Sequence, residues 1–186
     1  MIQKIAIRLL FLGAAFAISI LAFAETPPAE ISGRDLVTGK DFHFDIKQKP
    51  TALVFLSARC PCSNSHIEHI NKLAKQHPSV QFVGVHSNQN ESVSESHAYF
   101  SKYHLSFPVI HDNDAALANA VGALKTPHVF VYDTTLTLRY RGGVTSSSQM
   151  EKAKKLHLSD FLSEFERGSA TLLTEVRSLG CYIKRK

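Results

Sequence analysis

Residues 51–56 and 80–85 form two short runs that are apolar almost throughout, and a segment of helical periodicity lies between them. Runs of this kind are typical of strands that are covered on both faces of a sheet. In the intervening segment, apolar residues recur at helical spacing at Ile67, Ile70, Leu73 and Ala74. Ser63 or Asn64 is placed to cap the start of this helix. The order strand, helix, strand predicts a parallel pair within a sheet.

The flanking segments predict a hairpin before this unit and further elements after it. Residues 31–37 and 41–46 flank a Thr-Gly-Lys turn, and in the second run apolar and polar residues alternate, which predicts an N-terminal hairpin with a half-buried strand. Later patterns predict helices over residues 94–103, 115–121 and within 149–165, and strands over residues 107–110, 129–132 and 136–141. These elements together predict an α/β domain with a mixed central sheet flanked by helices.

The amino terminus has the three parts of a secretory signal. Lys4 and Arg8 form a basic start, residues 9–21 are apolar apart from one serine, and residues 22–24 are a small-x-small cleavage site. A membrane anchor is the alternative, but the uncharged stretch is shorter than the roughly 20 residues that span a bilayer. We therefore expect cleavage near Ala24 and a periplasmic or secreted protein with no membrane span after cleavage.

The remaining chain has the length of one ordinary domain. We expect a linker at residues 25–30, a single domain at residues 31–167, and a tail at residues 168–186 that carries Cys181. The formal net charge of +5 falls by two, to +3, when the signal with its two basic and no acidic residues is removed. A charge this small gives no support for nucleic-acid binding.

All three cysteines, Cys60, Cys62 and Cys181, lie in the part of the chain predicted to be exported, where disulfides persist. Cys60 comes between the first apolar strand and the helix, a place where backbone N–H groups and the helix dipole favour the thiolate. An odd number of cysteines indicates thiol exchange, a mixed disulfide with a partner, or a metal site. One structural bridge plus one inert cysteine is the alternative interpretation.

Several short motifs resemble the exported bacterial redoxins of the AhpC/TSA and TlpA-like group, within the thioredoxin-like superfamily. The motifs are Phe-Leu-Ser-Ala-Arg-Cys-Pro at 55–61, Phe-Val-Gly-Val at 82–85, Phe-Pro-Val at 107–109, Thr-Pro at 126–127 and Gly-Cys-Tyr-Ile-Lys at 180–184. The resemblance implies a thioredoxin-like three-layer fold from about residue 31 to residue 165. It also implies a cis bond between Thr126 and Pro127 beside Cys60, with backbone groups free to hold an extended substrate segment. His128 is the histidine best placed to reach Cys60, with a structural role in its strand as the alternative.

The spacing of the first two cysteines departs from the Cys-x-x-Cys motif of thioredoxins, because Ser63 stands where the second cysteine would be. Two residues correspond to about 200° of helix rotation, so Cys60 and Cys62 face opposite sides unless both lie in the turn before the helix. A bridge between them would close a small, strained ring. Cys181 is the better candidate for the resolving thiol, since the tail is long enough to return to Cys60 and Gly180 allows a close turn. A structural bridge from Cys181 to Cys60 or Cys62 is the alternative, and it would contribute on the order of 4 kcal/mol.

Three chemistries suit these thiols. In thiol–disulfide exchange, the Cys60 thiolate attacks a substrate disulfide, and Cys181 or Cys62 releases the mixed disulfide. In peroxide reduction, Cys60 becomes a sulfenic acid that Cys181 resolves. In metal carriage, Cys60 and Cys62 join His66 and His69 to bind Cu(I) or Zn. We expect exchange, with a protein or small-molecule disulfide as substrate, a thiol electron donor as partner, and no cofactor.

Peroxidases of the superfamily carry a Thr or Ser three residues before the reactive cysteine, a Pro four residues before that, and an Arg from a distant strand. Ser57 meets the first requirement. Leu53 stands at the place of the proline, and the Thr-Pro pair at 126–127 lies where the arginine is expected. Three other arginines remain as candidate donors: Arg59, Arg139 and Arg141. This pattern favours exchange over peroxide reduction.

Overall fold

The computed structural model of the protein describes residues 27–169 and 172–185. The predicted signal at residues 1–24 lies outside these ranges, as do the first residues of the predicted linker. The strands are β1 (Glu30–Arg34), β2 (Asp41–Asp45), β3 (Thr51–Leu56), β4 (Gln81–His86), β5 (Val109–His111), β6 (Lys125–Thr126), β7 (His128–Tyr132), β8 (Leu138–Gly142), β9 (Thr174–Glu175) and β10 (Cys181–Tyr182). The helices are α1 (Pro61–Gln76), α2 (Val93–Phe100), α3 (Ala116–Ala120) and α4 (His157–Glu166).

Six of these strands form one mixed sheet in the order β5-β4-β3-β7-β8-β9. Strands β3, β4 and β5 run parallel to one another, whereas β7 is antiparallel to both β3 and β8. Strands β1 and β2 pair antiparallel in a separate two-stranded sheet. The predicted mixed sheet and N-terminal hairpin are both confirmed.

Apolar side chains cover both faces of the six-stranded sheet. On one face, the core is formed with α1, α2 and α4, through residues that include Ile67, Ile70, Phe100, Phe161 and Leu162. On the other face, it is formed with α3, the N-terminal hairpin and the tail, through residues that include Ile31, Leu117, Val121 and Ile183. All six residues of β3 are buried, as expected for a strand covered on both sides. The three-layer, thioredoxin-like arrangement is therefore confirmed.

Helix α1 begins earlier than the sequence predicts. Its N-cap is Cys60 and its first residue is Pro61, whereas Ser63 and Asn64 lie inside the first turn. A proline at the first helical position already has the φ angle of a helix. The N–H that it lacks would have no hydrogen-bond partner within the helix. The prediction that Ser63 or Asn64 caps the helix is wrong, because the sulfur of Cys60 takes that role.

Other element boundaries differ by a few residues from the predictions. Helix α2 ends at Phe100 because the next residues continue in tighter turns, with the N–H of Lys102 bonded to the carbonyl of Tyr99. Strand β5 begins only at Val109, after Pro108, which has no N–H to donate. The tail, to which the sequence patterns assign no strand, contains β9 on the edge of the main sheet and β10 paired with β6. Within residues 27–169 and 172–185, no helix has the length and apolar character needed to cross a membrane.

Candidate redox site

Cys60 lies at the N-terminus of α1, directly after the buried strand β3. Its Sγ accepts a hydrogen bond from the N–H of Ser63 at 3.4 Å, and its own N–H donates to Ser57 Oγ at 3.1 Å. The residue is only 3% exposed. The first turn of a helix has unpaired N–H groups and a positive electrostatic potential, so this position stabilises a thiolate.

The turn at Thr126 and Pro127 forms one wall around the Cys60 sulfur. The peptide bond between these two residues is cis, as the resemblance implies. Cys60 Sγ lies 3.1 Å from the carbonyl oxygen of Thr126. The Thr126 hydroxyl is buried and has no hydrogen-bond partner within the described parts of the chain. Sequence reasoning therefore placed this pair correctly beside Cys60.

The C-terminal tail covers the backbone in front of the cis proline. Strand β10 pairs antiparallel with β6, so that Cys181 lies opposite Thr126 and Tyr182 opposite Lys125. Cys181 Sγ is 2.6 Å from Cys60 Sγ, which confirms that the tail returns to the site. The expectation that the backbone groups beside the cis proline are free for a substrate is wrong, because β10 is paired there.

Gly180 is needed for the close approach of β10 to β6, rather than for the turn that the sequence analysis expected. A Cβ atom at this position would overlap the carbonyl oxygen of Thr126, which belongs to the backbone and has little freedom to move. Any side chain at residue 180 would therefore push the tail away from the cis proline.

Hydrogen bonds on both sides of Cys181 hold the tail in place. Ser178 Oγ donates to the carbonyl of Pro127 at 2.8 Å, and the N–H of Ile183 donates to the carbonyl of Leu124 at 2.9 Å. The side chain of Ile183 is 5% exposed and belongs to the core beneath the sheet. The tail is thus anchored by one apolar residue and by polar contacts with the segment around the cis proline.

The three thiols differ in their affinity for a proton. Burial raises the pKa of Cys60, but hydrogen bonds from Cys181 and from the N–H of Ser63 oppose burial, and this pKa lies below its ordinary value. Burial and the contact with Cys60 raise the pKa of Cys181 to about 12. Burial and the charge on Cys60 also raise the pKa of Cys62. Cys60 is therefore the thiol that ionises first.

Cys62 completes a cluster of three sulfurs. The Sγ atoms of Cys60, Cys62 and Cys181 all lie within 4.8 Å of one another. The expected separation of Cys60 and Cys62 by helix rotation does not apply, because Cys60 is the cap and has an extended backbone conformation. Cys62 is partly exposed and lines a cleft of about 480 Å³ together with Gln149 and Glu151. The cluster thus has one buried thiol and two that are more accessible.

A buried carboxylate, which the sequence analysis did not single out, holds the loop before Cys60. Glu91 is 6% exposed and accepts hydrogen bonds from Ser57 Oγ at 2.5 Å and from the N–H of Ala58 at 2.8 Å. It also accepts a longer bond from the N–H of Arg59. Because Ser57 Oγ in turn accepts the N–H of Cys60, the carboxylate fixes the position of the cysteine through one intermediate residue. No motif or spacing in the sequence connects Glu91 with Cys60, which lies in a different loop.

Comparison with protein families agrees with this geometry. Residues 29–142 match the model of the AhpC/TSA family. The chain belongs to the AhpC/TSA family. No curated protein sequence matches it significantly.

Solved structures similar to this AhpC/TSA-family protein share its fold. An uncharacterized conserved protein from Geobacillus kaustophilus has a TM-score of 0.75 at 23% identity, covering 87% of this chain and 90% of that one. A secreted Mycobacterium tuberculosis disulfide oxidoreductase homologous to E. coli DsbE has a TM-score of 0.54 at 23% identity, covering 72% and 94%. The peroxidoxin BcpB from Mycobacterium tuberculosis has a TM-score of 0.56 at 20% identity, covering 76% and 96%. These likenesses support the fold, and the residues of the site must decide between the two chemistries.

The side chains that peroxide reduction would use in this AhpC/TSA-family protein have other partners. The Ser57 hydroxyl donates its proton to Glu91, so it cannot also donate to a peroxide oxygen. The three candidate arginines each form an ion pair with an acidic residue: Arg59 with Glu95, Arg139 with Asp133, and Arg141 with Glu175. The geometry therefore gives little support to peroxide activation at Cys60.

The histidines predicted as metal ligands are not part of the sulfur cluster. Both ring nitrogens of His66 are engaged, Nδ1 with the carbonyl of Cys62 at 2.8 Å and Nε2 with Thr145 Oγ1 at 2.9 Å. Burial lowers the pKa of both His66 and His69. The ligand set of two cysteines and two histidines, which the sequence offered as an alternative, is not assembled, because the third group beside the two thiols is Cys181.

His128 has the structural role that the sequence analysis gave as its alternative. Its ring centroid is 4.5 Å from that of Phe130, and Nδ1 accepts the N–H of Leu124 at 3.4 Å. Burial lowers the pKa of His128 to about 4, so the ring is uncharged at neutral pH. An uncharged ring held by these contacts stabilises the strand rather than the Cys60 thiolate.

Proposed function

We propose that this protein is a thiol–disulfide oxidoreductase of the cell envelope, with Cys60 as the nucleophile and Cys181 as the resolving thiol. The observation that carries the proposal is the 2.6 Å contact between their sulfurs, at the N-terminus of α1 and beside the cis proline. A resolving thiol must be able to reach the sulfur of the nucleophile, and this contact meets that requirement.

The different proton affinities of the two thiols give each a role in the reaction. Cys60, whose pKa is lowered, attacks one sulfur of a substrate disulfide and forms a mixed disulfide, while the other sulfur leaves as a thiolate. Cys181 then loses its proton and attacks Cys60 Sγ, which releases the rest of the substrate as a second thiolate. The products are a reduced substrate and a Cys60–Cys181 disulfide, so two electrons have moved from the protein to the substrate.

A cleft beside the two sulfurs gives a substrate a path to Cys60. It has a volume of about 130 Å³ and is lined by residues that include Ser57, Asn88, Glu91 and Tyr182. A cleft of this size accepts a single side chain or the sulfur end of a small molecule. The substrate class that fits best is therefore a small disulfide or an exposed protein disulfide that does not need the edge of β6.

Exchange explains the arrangement of the side chains better than metal carriage by cysteines and histidines does. Both ring nitrogens of His66 have hydrogen-bond partners. The group that lies beside Cys60 and Cys62 is a third thiol, Cys181. A nucleophilic thiol in contact with a resolving thiol is what exchange requires.

The proposed location rests on the amino-terminal segment. Lys4, Arg8, the apolar run at 9–21 and the small-x-small site at 22–24 fit an exported protein. A solved relative in fold is a secreted disulfide oxidoreductase. Export would bring the three cysteines to a compartment in which disulfide substrates persist. Fractionation of cells that express the full chain, followed by N-terminal sequencing, tests this part of the proposal.

The proposed chemistry is tested by trapping the mixed disulfide with oxidised glutathione. We expect the reduced Cys181→Ser protein to accumulate a glutathione adduct on Cys60, and the reduced wild-type protein to pass on to a Cys60–Cys181 disulfide. Cys60→Ser should form neither product. Mass spectrometry after an acid quench measures the glutathione adduct and the Cys60–Cys181 disulfide. A Cys60→Ser protein that still reduces oxidised glutathione at the wild-type rate would overturn the proposal.

The same proteins can be used to distinguish thiol–disulfide exchange from peroxide reduction. We expect the Cys60 thiolate to react with hydrogen peroxide no faster than the thiolate of free cysteine does, because Ser57 and the three candidate arginines have other partners. A rate many orders of magnitude above that of a free thiol, ending in a Cys60–Cys181 disulfide, would favour a peroxidase instead. The pH dependence of Cys60 alkylation should show a midpoint below the ordinary thiol value of about 8.5.

A further inference from the structure

The third thiol of the cluster has no role in a cycle that uses only Cys60 and Cys181. Cys62 nevertheless lies within 4.8 Å of both of their sulfurs, on the side of the cluster that borders the cleft with Gln149 and Glu151. Cys60 is 3% exposed and lies against the carbonyl of Thr126. An electron donor therefore meets Cys62 more readily than it meets Cys60. It also has more room at Cys62 than at Cys181, because Cys181 lines the cleft of about 130 Å³ and Cys62 lines the cleft of about 480 Å³.

We propose that Cys62 is the thiol through which the protein is re-reduced: Cys62 attacks Cys181 Sγ and displaces Cys60, and an external dithiol donor then attacks Cys62. This proposal rests on the proposed function, because it begins from the Cys60–Cys181 disulfide. The partner that it predicts is a dithiol that docks at the polar cleft beside Cys62.

The choice between the two sulfurs of the disulfide follows from ring size. If Cys62 attacked Cys60, the product would be a bridge between residues two apart, which closes a small and strained ring. If Cys62 attacks Cys181, the new bridge joins the helix to the tail and closes a long loop. Attack on Cys181 therefore gives the unstrained product.

The leaving groups favour the same direction. Thiol–disulfide exchange is faster when the departing thiol has a lower pKa. Attack on Cys181 expels Cys60, the thiol with the lowered pKa, whereas attack on Cys60 expels Cys181, whose pKa is raised. Both considerations select a Cys62–Cys181 disulfide and a free Cys60 thiolate.

The charge on Cys60 also sets the order of events. In the reduced protein, burial and the charge on Cys60 hold the pKa of Cys62 high, so Cys62 stays protonated and does not compete for the substrate. Once Cys60 is part of a disulfide, that charge is gone, and its contribution to the raised pKa of Cys62 disappears with it. Burial continues to raise the pKa of Cys62, so Cys62 becomes more reactive than it is in the reduced protein, at the stage at which it is needed.

The complete step balances in atoms and electrons. Cys62 loses a proton to solvent, its sulfur bonds to Cys181 Sγ, and the bond from Cys181 to Cys60 breaks with Cys60 leaving as a thiolate. One donor thiolate then attacks Cys62 Sγ and expels Cys181, which takes up a proton as it leaves. At this step access through the wider cleft, and not the pKa of the leaving thiol, selects the sulfur that is attacked. The second donor thiolate attacks the first donor sulfur and expels Cys62, which regains its proton, so that the donor departs as a disulfide and the protein gains two electrons.

The intermediate can be identified by peptide mapping. The mature protein is oxidised with one equivalent of oxidised glutathione, quenched at intervals, alkylated and digested with trypsin. Cleavage after Arg59, Lys72, Arg177 and Lys184 gives one peptide with both Cys60 and Cys62 and another with Cys181. Fragmentation before Pro61 shows which of the two carries the alkyl group. We expect the Cys60–Cys181 bond first and the Cys62–Cys181 bond afterwards.

A second measurement tests whether this bond is on the route to reduction. The ratio of the rate of reduction by dithiothreitol to the rate of oxidation by glutathione is measured for each protein. We expect Cys62→Ser and Cys62→Ala to lower this ratio at least tenfold, and Ser163→Ala, on an exposed part of α4, to leave it at the wild-type value.

A failure of the role proposed for Cys62 can be distinguished from a failure of the proposed function. If no Cys62–Cys181 peptide forms and both Cys62 variants keep the wild-type ratio while the Cys60–Cys181 bond still forms, the role of Cys62 is overturned and the proposed function stands. If Cys60 forms no disulfide at all, the proposed function itself fails.

Discussion

Cys60 and Cys181 meet at one contact, but the two regions that carry them are held in different ways. Cys60 caps a helix, follows a fully buried strand, and is fixed through Ser57 to the carboxylate of Glu91. Cys181 is carried by a two-residue strand that pairs with a short partner next to the cis proline. The nucleophile is therefore part of the core, whereas the resolving thiol belongs to a segment that can move without unfolding the domain.

The weaker attachment of the tail that carries Cys181 suits the movement that catalysis requires. A substrate disulfide must replace Cys181 at the sulfur of Cys60, and Cys181 must return for the second step. Motion is least costly when it is confined to a segment with few buried contacts. The tail meets this condition around Cys181, since none of the residues from Ser178 to Tyr182 is buried and Ile183 alone anchors this stretch in the core.

The largest expected effect is the change in stability when the two regions are joined. A Cys60–Cys181 disulfide closes a loop of roughly 120 residues and should stabilise the protein by on the order of 4 kcal/mol. For a domain of this size, that corresponds to an increase in Tm of roughly 8–16 °C. Thermal unfolding of the oxidised and the reduced wild-type protein measures it.

The Cys181→Ser protein is the control, because it lacks the bond under both conditions and should show no such increase. A wild-type increase below about 2 °C would contradict the view that the tail is linked to the core by this bond.

The next effect comes from forcing the tail away from the cis proline. In Gly180→Val the side chain would overlap the Thr126 carbonyl, so β10 cannot pair with β6. We expect the Cys60–Cys181 disulfide to form about 100-fold more slowly, while Cys60 becomes more reactive toward a small alkylating agent. Stopped-flow oxidation and timed alkylation measure the two rates.

Gly168→Asn is the matched control, since residue 168 has open space around it and a left-handed conformation that asparagine tolerates. Equal disulfide formation in Gly180→Val and wild type would show that β10 need not pair with β6.

Most of the fold could be predicted from the sequence, because its strands and helices have strong periodic patterns. The runs at β3 and β4 and the periodic residues of α1 predicted an α/β domain with a mixed sheet, and the family resemblance carried by motifs such as the one around Cys60 implied the three-layer arrangement. The same patterns could not show that Cys60 itself caps α1, because that depends on the local geometry of a Cys-Pro step. They also could not show that β10 occupies the edge beside Pro127, since a two-residue strand has no periodicity.

Glu91 is the clearest case of a residue that the sequence could not identify. Its role comes from three hydrogen bonds to a loop more than 30 residues earlier in the chain, and a single acidic residue in a polar segment gives no sign of such contacts. Tertiary structure alone brings it beneath Cys60.

Removing the Glu91 carboxylate should loosen the loop before Cys60. It should change the reaction rate at Cys60 less than displacing the tail does. Glu91→Ala leaves the buried Ser57 hydroxyl without its acceptor, at a cost of about 1–3 kcal/mol, and costs less at the N–H groups of Ala58 and Arg59, which are only partly buried. We expect Cys60 alkylation at neutral pH to slow about tenfold and Tm to fall. Glu91→Gln, which keeps one carbonyl acceptor, should recover part of both losses. A Glu91→Ala protein with unchanged Cys60 alkylation would show that the loop is held without it.

The smallest effect is expected where a single polar contact anchors the tail. Ser178 Oγ donates to the carbonyl of Pro127 at 2.8 Å, and an ordinary hydrogen bond contributes about 1 kcal/mol. Ser178→Ala should therefore raise the fraction of tail that is undocked about fivefold and speed the alkylation of Cys60 by no more than that factor. Oxidised Ser178→Ala is the internal control, since its Cys60–Cys181 bond holds the tail regardless of this contact and its Tm should stay close to that of the oxidised wild type. A loss of several kcal/mol in the oxidised form would mean that Ser178 stabilises the domain itself, and the tail could then no longer be regarded as a separately moving region.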